Sequence, residues 1–410
     1  MNKQLQGIIF IAACFLVGLF VIAVIKDAEE KIIRTGKTRV LEVKGSNLIG
    51  YQNGNISWRL EADYVWAGRS KYIFRADGVK DGILFDRNGD VSFQQLQSNK
   101  VRVNTKSKTV TAYGDVQAKF LKKNDPGNFL FIGSQELRYF GTTKKTYLFK
   151  DVFLEQDGYT IRPKRNVEVD NDENIVYISD PFTMTSDEFR VTGNQMTMFI
   201  DDNTSEMLFI ELTRVGKPTD NIELDERERD LRAEDMVLTA DRMDYFNDDK
   251  SVLVTINGKV KMTHGDKKIS ADIGFYNKNE NYYELRGDVS IESSSLEWLL
   301  TEDQRQFDNE DIAQSIYEPV TIKTDKLTFY ADDRKLEMFG RVEIKQESTH
   351  IQARRLTLDD IAGELLLKGA VKIRKGRDTM TCEEMLININ NETFYAERKV
   401  LSEFFINQTH

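Results

Sequence analysis

Lys335-Leu-Glu-Met-Phe-Gly340-Arg-Val342-Glu-Ile344 and Glu364-Leu-Leu-Leu-Lys-Gly369-Ala-Val371-Lys-Ile373 are two copies of one pattern, set 29 residues apart. Thirteen residues after each glycine stands a small residue, Ala353 and then Cys382. Around it the order is apolar-x-small-x-x-apolar-x-apolar: Ile351, Ala353, Leu356, Leu358, and then Met380, Cys382, Met385, Ile387. The frame recurs at Leu238-Ala240-Met243-Tyr245, at Ile269-Ala271-Gly274-Tyr276 and at Ile322-Thr324-Leu327-Phe329. The amino-terminal half carries it at Leu60-Ala62-Val65-Ala67, Leu96-Ser98-Val101-Val103 and Ile132-Ser134-Leu137-Tyr139, with weaker units near Lys164 and Gly193. A fixed internal period is the mark of a repeat architecture, so the repeat decides the fold.

Each unit reads as strands. Val342 and Ile344, like Val371 and Ile373, alternate with charged residues, as in a sheet with one dry and one wet face. The change from even to odd spacing after the small residue, 353 to 356 and 382 to 385, calls for one extra residue. A β-bulge supplies it, and a small side chain suits the inside of the resulting bend. Gly114-Asp115 and Gly287-Asp288 read as turns before the next strand. So many strands exceed the roughly ten that an open flat sheet tolerates, and the expected body is an all-β trough, sandwich or solenoid.

Two stretches interrupt the period. Val215 to Asp235 contains Asp225-Glu-Arg-Glu-Arg-Asp230, expected to be a solvated linker over 216–235 between two lobes, 27–215 and 236–410. Residues 293–319 hold Trp298, Leu299, Leu300 and Ile312 among many acids and read as an insertion packed on a sheet edge or plugging the trough.

Ahead of the body, Gly7 to Ile25 is an unbroken apolar run of 19 residues followed by Lys26 and Asp27. As a helix it would span roughly 28 Å, the thickness of a bilayer's hydrocarbon core. No small-x-small cleavage site follows it. Ile11-Ala-Ala-Cys14 imitates a lipoprotein processing box, but cleavage there would leave a long apolar stretch behind the cysteine. Residues 1–26 are therefore expected to be one uncleaved transmembrane anchor with the body outside. Cys14 in the membrane cannot pair with Cys382.

Composition removes most alternatives. Across 410 residues the net charge is −10, which argues against nucleic-acid binding. Three histidines and two cysteines leave little for a metal or a disulfide framework, and five prolines fit long uninterrupted strands. Gly36-Lys37-Thr38 lacks the earlier glycine and the preceding strand of a phosphate-binding loop. The carboxylates fall on the polar phase of the strands, where a solvated face accounts for them without a glycosidase pair. The Asn-x-Ser/Thr sequons at Asn55, Asn203, Asn391 and Asn407 read as chance. No catalytic residue, metal ligand or cofactor is expected. What stands out is the apolar phase itself: Ile351, Ala353, Leu356, Leu358, Val371, Ile373, Met385 and Ile387 run from unit to unit as one inner stripe. Periodicity alone leaves open whether that stripe is a filled core or a lipid-accommodating interior.

A membrane anchor followed by repeats such as Lys-Ile-Ser-Ala271-Asp-x-x-x-Tyr276 and Gly-x-Val-x-Ile resembles the OstA-like periplasmic proteins of lipopolysaccharide export, the LptC and LptA families. The anchor and first lobe resemble LptC, and residues from about 236 resemble LptA. The chain is about double the usual LptC length, and the insertion departs from the pattern. The resemblance implies a twisted β-jelly-roll, open along one side, that stacks end to end with like domains by strand-edge addition. It implies an inner-membrane protein with a periplasmic body, lipopolysaccharide or a related glycolipid as ligand, and an inner-membrane ABC transporter as the source of both glycolipid and energy. The competing classes are an anchored β-solenoid stalk or adhesin with a filled core, and a β-helix enzyme acting on polysaccharide.

Overall fold

The computed structural model describes residues 40–403, except 53, 71, 87, 123–124, 157, 188, 217–232, 248–251, 301–313 and 315. The expected anchor, Gly7 to Ile25, and the charge run Asp225 to Asp230 lie outside the described residues. Among the described residues no helix is long and apolar enough to cross a membrane.

Nearly every described residue outside the turns is in an antiparallel strand. Six long strands come first: β1 (Leu41–Gln52), β2 (Asn55–Ala67), β3 (Ile73–Phe85), β4 (Val91–Asn104), β5 (Thr109–Lys122) and β6 (Asp125–Phe140). Eight short ones follow: β7 (Lys145–Phe149), β8 (Phe153–Gln156), β9 (Tyr159–Pro163), β10 (Val167–Asp170), β11 (Ile175–Ile178), β12 (Phe182–Thr185), β13 (Arg190–Gly193) and β14 (Gln195–Phe199). Long strands then return as β15 (Thr204–Arg214), β16 (Met236–Asn247), β17 (Val252–His264), β18 (Lys267–Asn277), β19 (Tyr282–Ser293), β20 (Val320–Tyr330), β21 (Lys335–Lys345), β22 (Thr349–Asp359), β23 (Glu364–Lys375) and β24 (Asp378–Asn388). Two short strands, β25 (Thr393–Glu397) and β26 (Leu401–Glu403), close the described chain.

Two compact units divide these strands. One runs to Leu154 and includes Asn166–Asn174, and the other holds Glu155–Arg165 and everything from Ile175 onward. In each, consecutive long strands pair as a meander: β1 to β6 in the first, β15 to β24 in the second. The strands flanking the charge run, β15 and β16, pair directly from Thr204↔Phe246 to Arg214↔Met236.

The repeat is one strand bent at a bulge. Between β21 and β22, Phe339 faces Arg355 and Val342 faces Ala353, so Gly340 and Arg341 together oppose the single residue Arg354. The same two-against-one step places Gly258-Lys259 against Asp272, Gly287-Asp288 against Asp325, and Gly369-Ala370 against Glu383. The extra residue therefore sits on the glycine strand, not after the small residue as the spacing suggested. The reason is conformational: Gly340 at φ +91° and the Gly369-Ala370 pair at +79° and +49° occupy the left-handed region that glycine enters freely. A neighbouring carboxylate completes the bulge, since the Arg341 N–H donates to Asp325 Oδ2 at 3.0 Å. A β-carbon on Gly340 would run into that same carboxylate.

The small residue has its explanation in the register. Ala271, Ala353 and Cys382 each face a bulge-strand valine, Val260, Val342 and Val371, and all six side chains are buried. Thr324 takes the same place opposite Val289 and buries its hydroxyl by donating to the carbonyl of Phe339 at 2.9 Å.

Candidate functional site

Four cross-strand rows of side chains occupy the inner side of β16–β24. The first runs Leu238, Met262, Ile269, Ile291, Ile322, Ile344, Ile351, Ile373, Met380, each facing the next across a strand pair. The second is the small/valine row at the bend. The third, just past the bend, runs Met243, Ile256, Gly274, Leu285, Leu327, Met338, Leu356, Leu367, Met385. The fourth lies at the other strand ends: Tyr245, Val254, Tyr276, Tyr283, Phe329, Leu336, Leu358, Leu365, Ile387, Phe394.

Burial follows these rows. At the bend it is almost complete, with Val371 at 1%, Met338 at 1%, Leu356 at 2% and Leu367 at 0% exposure. Toward the strand ends it falls on both sides: Met262, Ile269, Ile344, Ile351, Ile373 and Met380 are half-buried on one rim. On the other rim Tyr245, Tyr276, Phe329, Leu365 and Ile387 are half-buried, and Tyr283 and Phe394 are exposed. A strand bent in the middle, dry at the bend and wetter outward along both arms, has the cross-section of an open trough.

The first unit carries the same frame, but most of its strand-end positions from β2 to β6 are buried, with Phe74 half-buried. Leu60, Leu96 and Ile132 occupy the position of Ile351 and are 0%, 0% and 1% exposed. Val103 and Tyr139 occupy the position of Leu358 at 2% and 0%. Tyr139 donates to the Phe85 carbonyl at 3.2 Å, and burial pushes its phenol up to about 12. Beside it the buried Lys144 donates to the same carbonyl at 3.0 Å and to Ser57 Oγ at 3.2 Å. The short strands at the start of the second unit are filled as well, with Ile161 and Val191 at 0%. Openness begins at β16.

The expected stripe thus divides. Ala353, Leu356, Val371 and Met385 lie at the buried bend, Leu358 is still buried at 8%, and Ile351, Ile373 and Ile387 lie on the rims. Leu356 sits at the narrow end of the trough and not at its widest point. Sequence reading missed Met262, Leu336 and Leu365 as rim members, although their alternation with polar neighbours carried the signal. The insertion begins with a short 3-10 turn, Glu297–Leu299. Its Leu300 and Ile316 are buried, and Ile291 and Ile322, in the strands it connects, are the least exposed of the isoleucine row.

On the outer face several acids, some of them buried, are paired with cations. Glu337 accepts from Lys335 at 3.1 Å and Arg355 at 3.0 Å, and Glu284 from Lys326 at 2.8 Å and from Arg286. Burial alone would raise both carboxyls, but these cations hold them below the usual range. Glu343 binds Lys345 at 2.9 Å and His350 at 2.8 Å, and its carboxyl is held down at about 2, chiefly by the Lys345 hydrogen bond. Such carboxylates are ion-pair partners. Among the described residues no group of three or more histidine, cysteine or acidic side chains is placed to hold a metal.

Comparison with known proteins bears on this same stretch. Residues 233–375 match the sequence model of the family described as lipopolysaccharide-assembly, LptC-related. The match falls on the lobe for which an LptA likeness was expected and does not extend to residues 27–215. No curated protein matches. Among solved structures, LptH of Pseudomonas aeruginosa, described as the LptA-homologous periplasmic component of the lipopolysaccharide transport device, aligns at 10% identity over 42% of this chain and 95% of its own. At a TM-score of 0.23 that likeness carries no weight. The likeness to the LptC-related lipopolysaccharide-assembly family is thus carried by residues 233–375, about a third of the chain.

Proposed function

We propose that this protein is a membrane-anchored periplasmic component of lipopolysaccharide export. It receives the glycolipid from an inner-membrane ABC transporter and passes its acyl chains along an open jelly-roll trough toward the outer membrane. In this reading residues 1–26 are the anchor, 27–215 and 236–410 the two lobes, and 216–235 the link between them. The observation that carries it is a coincidence of position: the residues that match a lipopolysaccharide-assembly family, 233–375, include eight successive strands, β16–β23, whose inner side chains are buried at the bend and become half-buried or exposed toward at least one strand end. A dry interior with half-open isoleucine and tyrosine rims suits acyl chains, which gain about 25 cal/mol for each Å² withdrawn from water.

Transfer to like proteins needs free strand edges. Among the described residues β1 pairs on one side only, with β2, and its Leu41, Val43, Ile49 and Tyr51 are exposed. Among the described residues the far side of β24 carries only the short β25 and β26, whose Phe394, Tyr395 and Leu401 are exposed. Both edges offer backbone groups to which another jelly-roll adds as a further strand.

A photo-reactive residue at 351 or 373 should label glycolipid in cells, while one at 96 or 132, in the filled lobe, should label only protein. Equal glycolipid labelling at all four positions, or none at 351 and 373, would count against this assignment.

A further inference from the structure

The anionic balance of the chain hides local cationic stretches, and one of them lies at the end of the open rows. From Leu365 to Arg377 there are five cations, Lys368, Lys372, Arg374, Lys375 and Arg377, and no acid, in a protein of net charge −10. The last four lie on the end of β23 and in the turn to β24, all are exposed, and none makes an ion pair among the described residues. Elsewhere on the outer face cations are spent on carboxylates, as at Glu284, Glu337 and Glu343. Here the ladder sets no acid directly opposite Lys372 or Arg374: Lys372 faces Gln352 and Thr381, and Arg374 faces His350 and Thr379. Four acids are close in the register or chain. Glu343 is committed to Lys345 and His350, Asp378 faces Lys375 across the turn, Glu347 sits in the adjacent turn, and Glu403 faces Thr379 on the far side of β24. The adjacent turn is tied on by the Gly376 N–H donating to the Ser348 carbonyl at 2.9 Å.

The second observation is what this turn borders. Ile373, one residue from Arg374, faces Ile351 and Met380, and all three are half-buried members of the isoleucine rim. Lys375, in phase with Ile373, and Arg377 in the turn thus present positive charge at the lip beside this half-buried apolar row, while Lys372 and Arg374 lie on the opposite, outer face. That pairing of chemistries fits an amphiphile whose anionic group lies at the junction with its acyl chains. A phosphate on a glycolipid and a phosphate on a phospholipid share this feature.

We propose that the β23–β24 turn is the head-group subsite of the trough, in which Lys375 and Arg377 receive the phosphate groups of an amphiphile whose acyl chains lie against Ile351, Ile373 and Met380. The proposal rests on the lipid-carrying reading and adds the charge of the ligand and the end of the strands at which its head sits. Long flexible cationic side chains at a lip accommodate phosphate as it passes, and surface exposure makes the contact sensitive to salt.

The test uses the full chain in detergent with three probes: bis-phosphorylated lipid A, the same lipid without phosphates, and phosphatidylglycerol. The double variant Lys375→Glu/Arg377→Glu, at exposed turn positions, should keep the wild-type melting temperature. It should bind phosphorylated lipid A about tenfold more weakly at low salt, the loss expected from one or two charge-assisted contacts. Binding of the phosphate-free lipid should be unchanged, and Ile351→Asp should weaken both. A matching loss for phosphatidylglycerol would identify the subsite as a general phosphate lip, and no loss would restrict it to the glycolipid; both support the subsite. Unchanged binding of phosphorylated lipid A by the double variant would overturn the subsite and leave the carrier reading standing. Failure of the wild-type chain to bind any probe would overturn both. Attachment to phosphatidylglycerol vesicles that is lost in the double variant but indifferent to Ile351→Asp would mean a membrane-docking patch, and would also overturn it.

Discussion

Truncating an inner side chain at the bend should cost much more stability than truncating one on the rim. Leu356 is 2% exposed and lies between Met338 and Leu367, themselves 1% and 0% exposed. Leu356→Ala removes buried methyl groups where the two strand arms are closest, and the neighbours cannot collapse to fill the space. Such changes cost about 3 kcal/mol. For a unit of roughly 150–250 residues each kcal/mol shifts the melting temperature by about 2–4 °C, so a fall of about 6–12 °C follows. Ile351 lies between Ile344 and Ile373 in a row already half in water. Ile351→Ala forfeits only part of the transfer term and leaves no closed cavity, about 1 kcal/mol and about 2–4 °C. Calorimetry of the two variants, followed by glycolipid binding, separates the effects. Leu356→Ala should lower the melting temperature first, and Ile351→Asp should lose ligand while melting only slightly early. Equal destabilisation by the two alanine variants would mean that the trough is closed at its rims, and would refute the reasoning from burial.

Other consequences can be checked separately. Gly340→Ala forces a side chain into a backbone at φ +91° and against the Asp325 carboxylate, so it should cost about 1–3 kcal/mol by urea unfolding, only partly relieved by adding Asp325→Ala. Glu343 has its carboxyl depressed from 4.5 to about 2, so its pairing stabilises the fold above pH 4.5, and that contribution should fade as pH drops toward 2. Glu343→Gln should flatten the acid limb of stability against pH. Tyr139 is shifted the other way, from 10 to about 12, so its contribution is complete below pH 10 and should disappear between pH 10 and 12, a loss absent in Tyr139→Phe. Lys144→Ala removes the donor to Ser57 and Phe85 from a buried polar cluster and should destabilise the fold by about 1–3 kcal/mol, read by urea unfolding.

The order of these residues along the chain was enough to fix the strands and their inner face. A glycine, a valine two places on, and a small residue thirteen places on recur because each rung repeats the same bend, and a bend constrains residue type locally. Ala271, Ala353 and Cys382 could therefore be placed at equivalent buried positions without coordinates. The side of the bend that holds the extra residue was not legible. Odd spacing is satisfied by an insertion on either partner strand, and only the pairing of Phe339 with Arg355 and Val342 with Ala353 assigns it to Gly340-Arg341.

Filling is likewise invisible in the repeat. Leu96 and Ile351 stand at the same place in the same frame, yet one is fully buried and the other half open. Periodicity reports which face a side chain is on and says nothing about what lies across from it. That depends on how far apart the two arms of each bent strand stand. The separation is set by every rung together, through twist, bulge and the size of side chains distant in sequence. For the same reason the charge of Lys372, Arg374, Lys375 and Arg377 could be counted in the sequence, but whether those cations were already paired was decided by the strands that became their neighbours.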